Sequence, residues 1–154
     1  MYAAQRVYQV AIKRAYEPPT RGDGVRILVD RLWPRGLRKD DASFDQWRKD
    51  LAPSTELRQF YGHRPERFAE FTQRYRVELR RNEAAAAVSE MIELNRRRPV
   101  TFLTASRDLE HSEAAVLAKH VEAIVKRRAR AAGSGASRTR AASRSSTGEG
   151  TRSR

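Results

Sequence analysis

The sequence predicts a single compact α/β domain with a small, mixed, mostly parallel sheet flanked by helices and followed by a disordered basic C-terminal tail. Three observations lead to this prediction. Short apolar runs of strand length stand on either side of a longer region with helical spacing, and the last segment lacks aromatic residues. We expect the domain to span residues 1–125, its last helix to extend to about residue 131, and the tail to span residues 132–154.

Three segments have the patterns of strands. Tyr8, Val10 and Ile12 alternate with polar or small residues, which is typical of a half-buried strand. Residues 25–29 and 100–103 are nearly continuous apolar runs, as in strands buried on both faces. Only about ten residues link the first two strands, whereas a parallel crossover usually needs about a dozen or more. We therefore expect the first two strands to be antiparallel.

Four helices are predicted between and after these strands. Ser54 is placed to cap a short helix, Pro65 fits the first position of a second, and Ser112 is a good cap for the last. The apolar residues of each helix fall on one stripe. In chain order they are Leu57 and Phe60; Phe68, Phe71, Tyr75 and Leu79; Val88, Met91 and Ile92; and Val116, Leu117, Val121 and Ile124.

The composition excludes several classes of protein. With 154 residues, of which 39% are apolar, the chain can bury one modest core. It contains no cysteine, which excludes disulfides, thiolate metal sites, iron–sulfur clusters and a cysteine nucleophile, and which fits a reducing cytoplasm. No apolar stretch approaches the roughly 18 residues of a membrane span, and the N-terminal segment has no signal-peptide core. We therefore expect a cytoplasmic protein with no membrane partner.

The net charge of +13 is concentrated near the C-terminus. Residues 126–154 contain nine Lys+Arg and one acid, which leaves residues 1–125 with a net charge of only +5. Such a segment can bind nucleic-acid phosphates without sequence preference, or it can be a solvated extension with no partner. The candidate phosphate contacts are Arg127, Arg128, Arg130, Arg138, Arg140 and Arg144.

The loop that directly follows the second predicted strand carries a candidate ligand site. It reads Val-Asp-Arg-Leu-Trp-Pro-Arg-Gly over residues 29–36. In open α/β sheets, ligands bind beyond the carboxyl ends of the strands. Arg31 and Arg35 suit a phosphate or carboxylate, Trp33 offers an apolar face, and Asp30 is a candidate base. The alternative is a structural turn in which Trp33 belongs to the core and Asp30 pairs with an arginine.

A second polar loop follows the last predicted strand in the same way. Asp108 and His111 are three residues apart, so a carboxylate can orient an imidazole for proton transfer, and Arg107 adds a cation. Ser106 lacks the Gly-x-Ser-x-Gly surroundings of a hydrolase nucleophile. The alternative is that Asp108 and Ser112 act only as helix caps.

The histidines do not predict a metal site. His63 lies at a turn between two helices, where it either joins a distant site or packs on the surface, and His120 falls near the apolar stripe of the last helix. No His-Glu-x-x-His spacing occurs, and no glycine-rich phosphate loop is present. We therefore expect neither a metal nor another cofactor.

Taken together, these segments resemble the YeaO-like family of small bacterial proteins, also called domain of unknown function 488. The family motif Val-Asp-Arg-Leu-Trp-Pro-Arg-Gly is matched without change by residues 29–36, and a following Trp and Leu-Ala-Pro-Ser-x-x-Leu-Arg by Trp47 and residues 51–58. His63, the helix around residues 71–75, and Asp108 with His111 also fit. The resemblance spans roughly residues 8–122 and implies a compact α/β domain, but it brings no established reaction.

The sequence departs from the family pattern near the second loop. The family usually reads Tyr-Ala-Ala-Lys-Asp after the last strand and Asn after the histidine, where this chain has Thr104, Ser106, Arg107 and Ser112. The usual Asp before Pro65 is Arg64, which removes a helix cap worth about 1 kcal/mol.

Three functions are compatible with these patterns. The leading hypothesis is a pocket for a small anionic or nucleotide-like ligand, in which Arg31, Arg35 and Arg107 hold the anion and His111 transfers protons with Asp30 or Asp108 as base. It leaves open whether the protein is an enzyme or only binds. The alternatives are a nucleic-acid-associated protein that uses its tail, and a regulatory or protein-interaction module whose loops are purely structural.

Overall fold

Four parallel strands form one sheet. The computed structural model describes the backbone of residues 9–142 and the side chains of residues 9–133. The strands are β1 (Ala11–Arg14), β2 (Val25–Leu28), β3 (Gln46–Trp47) and β4 (Val100–Thr104), in the spatial order β1-β4-β2-β3. β4 pairs with β1 on one side and with β2 on the other. Because all four strands run the same way, their carboxyl ends meet at one edge of the sheet.

The predicted antiparallel pairing of the first two strands is wrong. β1 and β2 lie on opposite sides of β4, and both run parallel to it. The short link can make this crossover because each strand has only four residues. The chain has to return about 13 Å and move sideways by about 10 Å, whereas ten extended residues reach about 33 Å.

Two of the three predicted strands have nearly the expected bounds, and one strand was not predicted. β2 and β4 match the two apolar runs. In the first segment Val10 is buried and Ile12 half-buried, but the strand itself begins at Ala11, and Tyr8 lies outside the described residues. β3 has only two residues at the edge of the sheet, which is too short for a periodic pattern to reveal.

Helices cover the sheet and supply most of the remaining core. They are α1 (Thr55–Tyr61), α2 (Phe68–Leu79), α3 (Asn82–Arg97) and α4 (Glu113–Ala142). Short 3-10 turns lie at Arg21–Asp23, Lys39–Asp41, Lys49–Leu51, Pro65–Arg67 and Leu109–His111. The largest fully buried side chains come from the strands and the predicted helix stripes, and include Ile27, Leu28, Phe71, Tyr75, Leu79, Met91, Ile92, Phe102, Leu103 and Leu117.

The predicted caps are confirmed. Ser54 Oγ accepts a hydrogen bond from the Leu57 N–H at 3.2 Å, and Ser112 Oγ accepts one from the Ala115 N–H at 3.2 Å. Pro65 begins the 3-10 turn that leads into α2, where Arg64 makes no side-chain cap. The stripes differ from the prediction only at their ends, because Phe60, Phe68 and Ile124 are half-buried.

A buried arginine ties the strand connections to the sheet. Arg26, the one charged residue in the apolar run of β2, donates from Nη1 to Asp23 Oδ2 at 2.6 Å. Its other donors reach the carbonyl oxygens of Ser43 at 2.8 Å and Glu17 at 2.7 Å. The interruption of the apolar pattern at residue 26 is therefore structural, since every arm of this guanidinium holds a connecting segment.

The C-terminal helix is longer than the sequence predicts. α4 continues to Ala142, whereas the predicted end was at about residue 131. Alanine, the best helix former, is the most frequent residue at positions 132–142, although the same stretch contains two glycines, which disfavour a helix. Contacts divide the chain into one unit that ends at Glu122 and a second that begins at Ala123, within which Arg127, Arg128 and Arg130 are exposed.

The domain boundary at residue 125 and the disorder of the tail stay predictions. Arg138 and Arg140 lie in the last turns of α4, but their side chains are outside the described residues, as is all of Arg144. Within the part of the chain that the structure describes, no helix combines the length and the apolar character needed to cross a bilayer.

Candidate functional site

Asp30 joins the ends of three strands. It stands two residues after β2, and its Oδ2 accepts a hydrogen bond at 2.7 Å from the N–H of Ala105, the first residue after β4. Its backbone carbonyl accepts from Trp47 Nε1 of β3 at 2.7 Å. The two loops singled out in the sequence therefore meet, because β2 and β4 are neighbours and end together. Asp30 forms no ion pair with an arginine of the described residues, whereas the structural-turn alternative required one.

A second carboxyl group lies beside Asp30. Glu113 is the first residue of α4, and its Oε1 accepts from the Thr104 hydroxyl at 3.2 Å. Burial and then the neighbouring carboxylate of Glu113 raise the pKa of Asp30 well above its usual range. Asp30 Oδ1 is enclosed and makes no hydrogen bond to a described residue. Burial and Glu113 therefore favour the protonated form of Asp30, in which its proton is shared with the neighbouring carboxylate.

An open cleft of about 530 Å³ includes both carboxyl groups. Three segments line it: residues 30–35 after β2, residues 105–108 after β4 together with Glu113, and a third group around α1 that consists of Pro53, Arg58, Tyr61 and His63. Part of the wall is apolar, with Leu32 57% exposed. This volume is within the range of about 300–1,000 Å³ that small-molecule sites occupy.

Four arginines line the same cleft. Arg31 is held by a hydrogen bond from its Nε to the Pro53 carbonyl at 3.1 Å, whereas the side chains of Arg35, Arg58 and Arg107 are exposed. None of the four forms an ion pair with a carboxylate of the described residues. Their guanidinium groups remain available as paired donors, which is the arrangement that recognises phosphate or carboxylate oxygens.

Trp33 is both a packing residue and a cleft residue. Its ring lies 5.5 Å from that of Phe44 and 5.4 Å from that of Trp47, and its Nε1 donates to the Leu37 carbonyl at 2.6 Å. The half-buried ring also lines the cleft. These contacts hold Trp33 in place, so that any apolar surface it offers a ligand is preformed.

Asp108 and His111 form a pair, but only Asp108 lines the cleft. Asp108 Oδ2 lies 2.8 Å from His111 Nδ1, and its Oδ1 also accepts from the His111 N–H at 3.3 Å. The hydrogen bond to His111 lowers the pKa of Asp108. The His111 ring packs edge-on against Phe68 at 4.9 Å, and its carbonyl accepts from the Tyr61 hydroxyl at 2.7 Å. Asp108 therefore acts as a cap and also orients the imidazole.

The other two histidines have different surroundings. His63 is exposed, lines the cleft 6.0 Å from the Tyr61 ring, and has a backbone φ of 57°, in the left-handed region. His120 is buried in α4, as a packing role requires. Among the residues that the structure describes, no group of three His, Cys, Asp or Glu is arranged to hold a metal ion.

Three charged or aromatic residues of the cleft were not among the sequence candidates: Arg58, Tyr61 and Glu113. Arg58 belongs to the Leu-Ala-Pro-Ser-x-x-Leu-Arg segment, so that motif was a usable signal. Glu113 directly follows the Ser112 cap, where an acid is expected simply because it favours a helix N-terminus. Tyr61 has the apolar spacing of a core residue. No local sequence pattern distinguishes Glu113 in the cleft from an acid that only stabilises a helix N-terminus, or Tyr61 in the cleft from a core residue.

The raised pKa of Asp30 predicts how the free energy of unfolding changes with pH, and how Asp30→Asn compares with the wild type. Because the pKa of Asp30 is higher in the folded chain than in the unfolded chain, the folded state binds more protons between the two values, and wild-type stability falls as pH rises from about 4 through neutrality. We expect Asp30→Asn to exceed wild type in free energy of unfolding by about 1–3 kcal/mol at pH 8, and by less at pH 5.

Urea unfolding at the two pH values measures this difference. The control is Asp40→Asn, at an exposed carboxylate in a surface turn, which should leave the pH dependence unchanged. An Asp30→Asn variant that is equally destabilised at both pH values would contradict the account.

Comparisons with known proteins identify the family. The chain is 49% identical over 114 residues to the uncharacterized protein Rv3073c of Mycobacterium tuberculosis, covering 74% of this chain and 94% of that protein. It is 36% identical over 115 residues to the uncharacterized protein YeaO of Escherichia coli K12, covering 75% and 98%. No solved structure matches. The family model DUF488-N3i, described as the inactive DUF488-N3 subclade, matches residues 9–141. The chain therefore belongs to the YeaO-like DUF488 family, within this subclade.

Proposed function

We propose that the cleft binds a small anion-bearing ligand, phosphorylated or nucleotide-like, and does not transform it. The observation that carries this proposal is the group of four cleft arginines without an ion-pair partner among the described residues. Arginines on a protein surface are ordinary, but four on one concave surface concentrate positive potential there. A guanidinium also matches the oxygens of a phosphate or carboxylate two at a time.

Two observations favour binding over catalysis. His111, the residue expected to transfer protons, does not line the cleft, and its Nδ1 is engaged by Asp108. The family description also calls this subclade inactive. In this proposal Asp30 hydrogen-bonds the ligand, Asp108 and His111 shape the rim, Arg31, Arg35, Arg58 and Arg107 hold the anion, and Trp33 and His63 flank it. The cytoplasmic location expected from the sequence stays a prediction.

Isothermal titration calorimetry with ribose 5-phosphate tests the proposal. We expect Arg107→Ala to raise the Kd about tenfold or more, because a hydrogen bond to a charged group contributes about 1.5–3 kcal/mol. This side chain is exposed and makes no hydrogen bond or ion pair with the described residues, so its truncation removes ligand contacts and leaves the packing intact. The matched control is Arg97→Ala, which removes an exposed arginine from the end of α3.

Two results would contradict anion binding at this cleft. One is the absence of saturable binding by the wild-type chain at low ionic strength. The other is an equal loss of affinity in both variants, which would mean that only overall charge matters.

Nucleic-acid binding through the C-terminal segment is a second candidate function. It is favoured by Arg127, Arg128 and Arg130, which are all exposed on the same helix and belong to the most basic part of the chain. Contacts of this type neutralise phosphates and release counterions, so affinity falls steeply with salt and depends little on base sequence.

The salt dependence of duplex DNA binding by the full chain tests this candidate. Replacing Arg127, Arg128 and Arg130 with Gln should reduce the slope of log K against log salt by about 2 to 3, if each contacts one phosphate. The control replaces three exposed arginines of the first unit, Arg64, Arg80 and Arg97, with Gln. Mobility shifts that are absent for the wild type, or equal slopes for the two triple variants, would remove the candidate.

A further inference from the structure

The cleft carries opposite charges at different depths. Two of its three carboxyl groups are enclosed, because Asp30 is only 9% exposed and Glu113 is half-buried, whereas Asp108 is exposed at the rim. Three of its arginines, Arg35, Arg58 and Arg107, are exposed. A bare anion complements the outer part of this cleft but is repelled at the inner part. The complementary ligand has an anionic end and a hydrogen-bonding end that carries N–H donors.

We propose that the ligand is a nucleotide whose base presents its hydrogen-bonding edge to Asp30 and Glu113 while its phosphate lies against the outer arginines. This inference rests on the proposed function of the cleft as an anion site. It narrows the ligand to a nucleotide, and it adds the direction in which that ligand lies and a role for Glu113, which the proposed function leaves without one.

The unpaired oxygen of Asp30 is the first argument for a base. Oδ2 already accepts from the Ala105 N–H, whereas Oδ1 is enclosed and has no hydrogen-bond partner among the described residues. Leaving such an atom unpaired destabilises the folded state. A ligand that pairs with it recovers this energy, so the site favours a group with a donor and an acceptor side by side.

Chemical complementarity favours a heterocycle over other polar groups. A neutral carboxylic acid offers one O–H donor beside one acceptor oxygen, and this matches the adjacent N–H and acceptor on the pairing edge of a nucleobase. Burial raises the pKa of Asp30 and so favours this neutral form near pH 7. Glu113 supplies a further acceptor for a second N–H.

The apolar wall is the second, independent argument. Leu32 is 57% exposed at the cleft, beside the preformed Trp33 ring and the prolines Pro34 and Pro53. An exposed leucine next to an indole forms an apolar surface on which a flat ring can pack. A sugar phosphate without a base leaves this apolar surface exposed to solvent. A cleft of about 530 Å³ has room for a mononucleotide.

Calorimetry with four probes separates the parts of this inference. The probes are uridine 5′-monophosphate, guanosine 5′-monophosphate, ribose 5-phosphate and phosphoethanolamine, so that the base is present, absent or replaced by an ammonium group. We expect at least one nucleotide to bind the full-length wild type tenfold or more tightly than ribose 5-phosphate, and phosphoethanolamine to bind no more tightly than ribose 5-phosphate.

A variant of Glu113 assigns the preference to a named residue. Glu113→Gln should reduce the ratio of nucleotide to ribose 5-phosphate affinity by fivefold or more, because the amide replaces a carboxylate that accepts the N–H groups of the base. Asp40→Asn, at an exposed carboxylate in a surface turn, should leave the ratio unchanged. Glu113→Gln replaces an acid by an amide of the same shape, and unfolding curves of this variant establish that it is folded.

The results that overturn the inference differ from those that overturn the proposed function. If nucleotides bind no more tightly than ribose 5-phosphate, if phosphoethanolamine binds as tightly as the best nucleotide, or if folded Glu113→Gln keeps the wild-type ratio, the base does not face the carboxyl pair, although anion binding stands. If no phosphate-bearing probe binds, the proposed function fails as well.

Discussion

The hydrogen bond between the Ala105 N–H and Asp30 Oδ2 is the contact on which the rest of the cleft depends. It joins the two loops that leave the central strands, and the Asp30 carbonyl adds the edge strand through Trp47. Because β2 and β4 are parallel neighbours, any polar residue just after either strand is brought to the same place. Asp30, Arg31 and Arg35 of one loop and Arg107 and Asp108 of the other therefore face one cleft.

This arrangement weakens the fold locally. An enclosed carboxyl beside another carboxylate resists ionisation, and one of its oxygens has no hydrogen-bond partner among the described residues. Both features destabilise the folded state near neutral pH. The buried pair of Arg26 and Asp23, at the other end of β2, is the contrasting case: the carboxylate there is fully engaged, and bonds to Lys13, Thr20 and Arg26 keep its pKa below the usual range. Uncompensated polar groups that persist in a cleft are typical of binding sites.

Local patterns predicted the helices and the two central strands, because caps such as Ser54 and Ser112 and the apolar stripes are properties of neighbouring residues. Local patterns did not predict the features that depend on contacts between segments far apart in the sequence. The relation of β1 to β2 depended on β4, which comes later in the chain, and β3 was too short to have a period. The site was predictable in the loops, where Asp30, Arg31 and Arg107 follow strands. Glu113 was not, since only the folded chain brings it beside Asp30, and His111 was expected in the cleft but points its ring to Asp108 and Phe68.

The protonation state of Asp30 matters most, because a protonated carboxyl offers an O–H donor to the inner cleft whereas an ionised one offers only acceptor oxygens. A carbon-13 titration of the Asp30 carboxyl group by NMR in the full chain, with Asp30→Asn used to assign the signal, measures it directly. This carbon is expected to keep the chemical shift of a protonated acid at pH 7. A midpoint near pH 4, as in an ordinary surface aspartate, would contradict it.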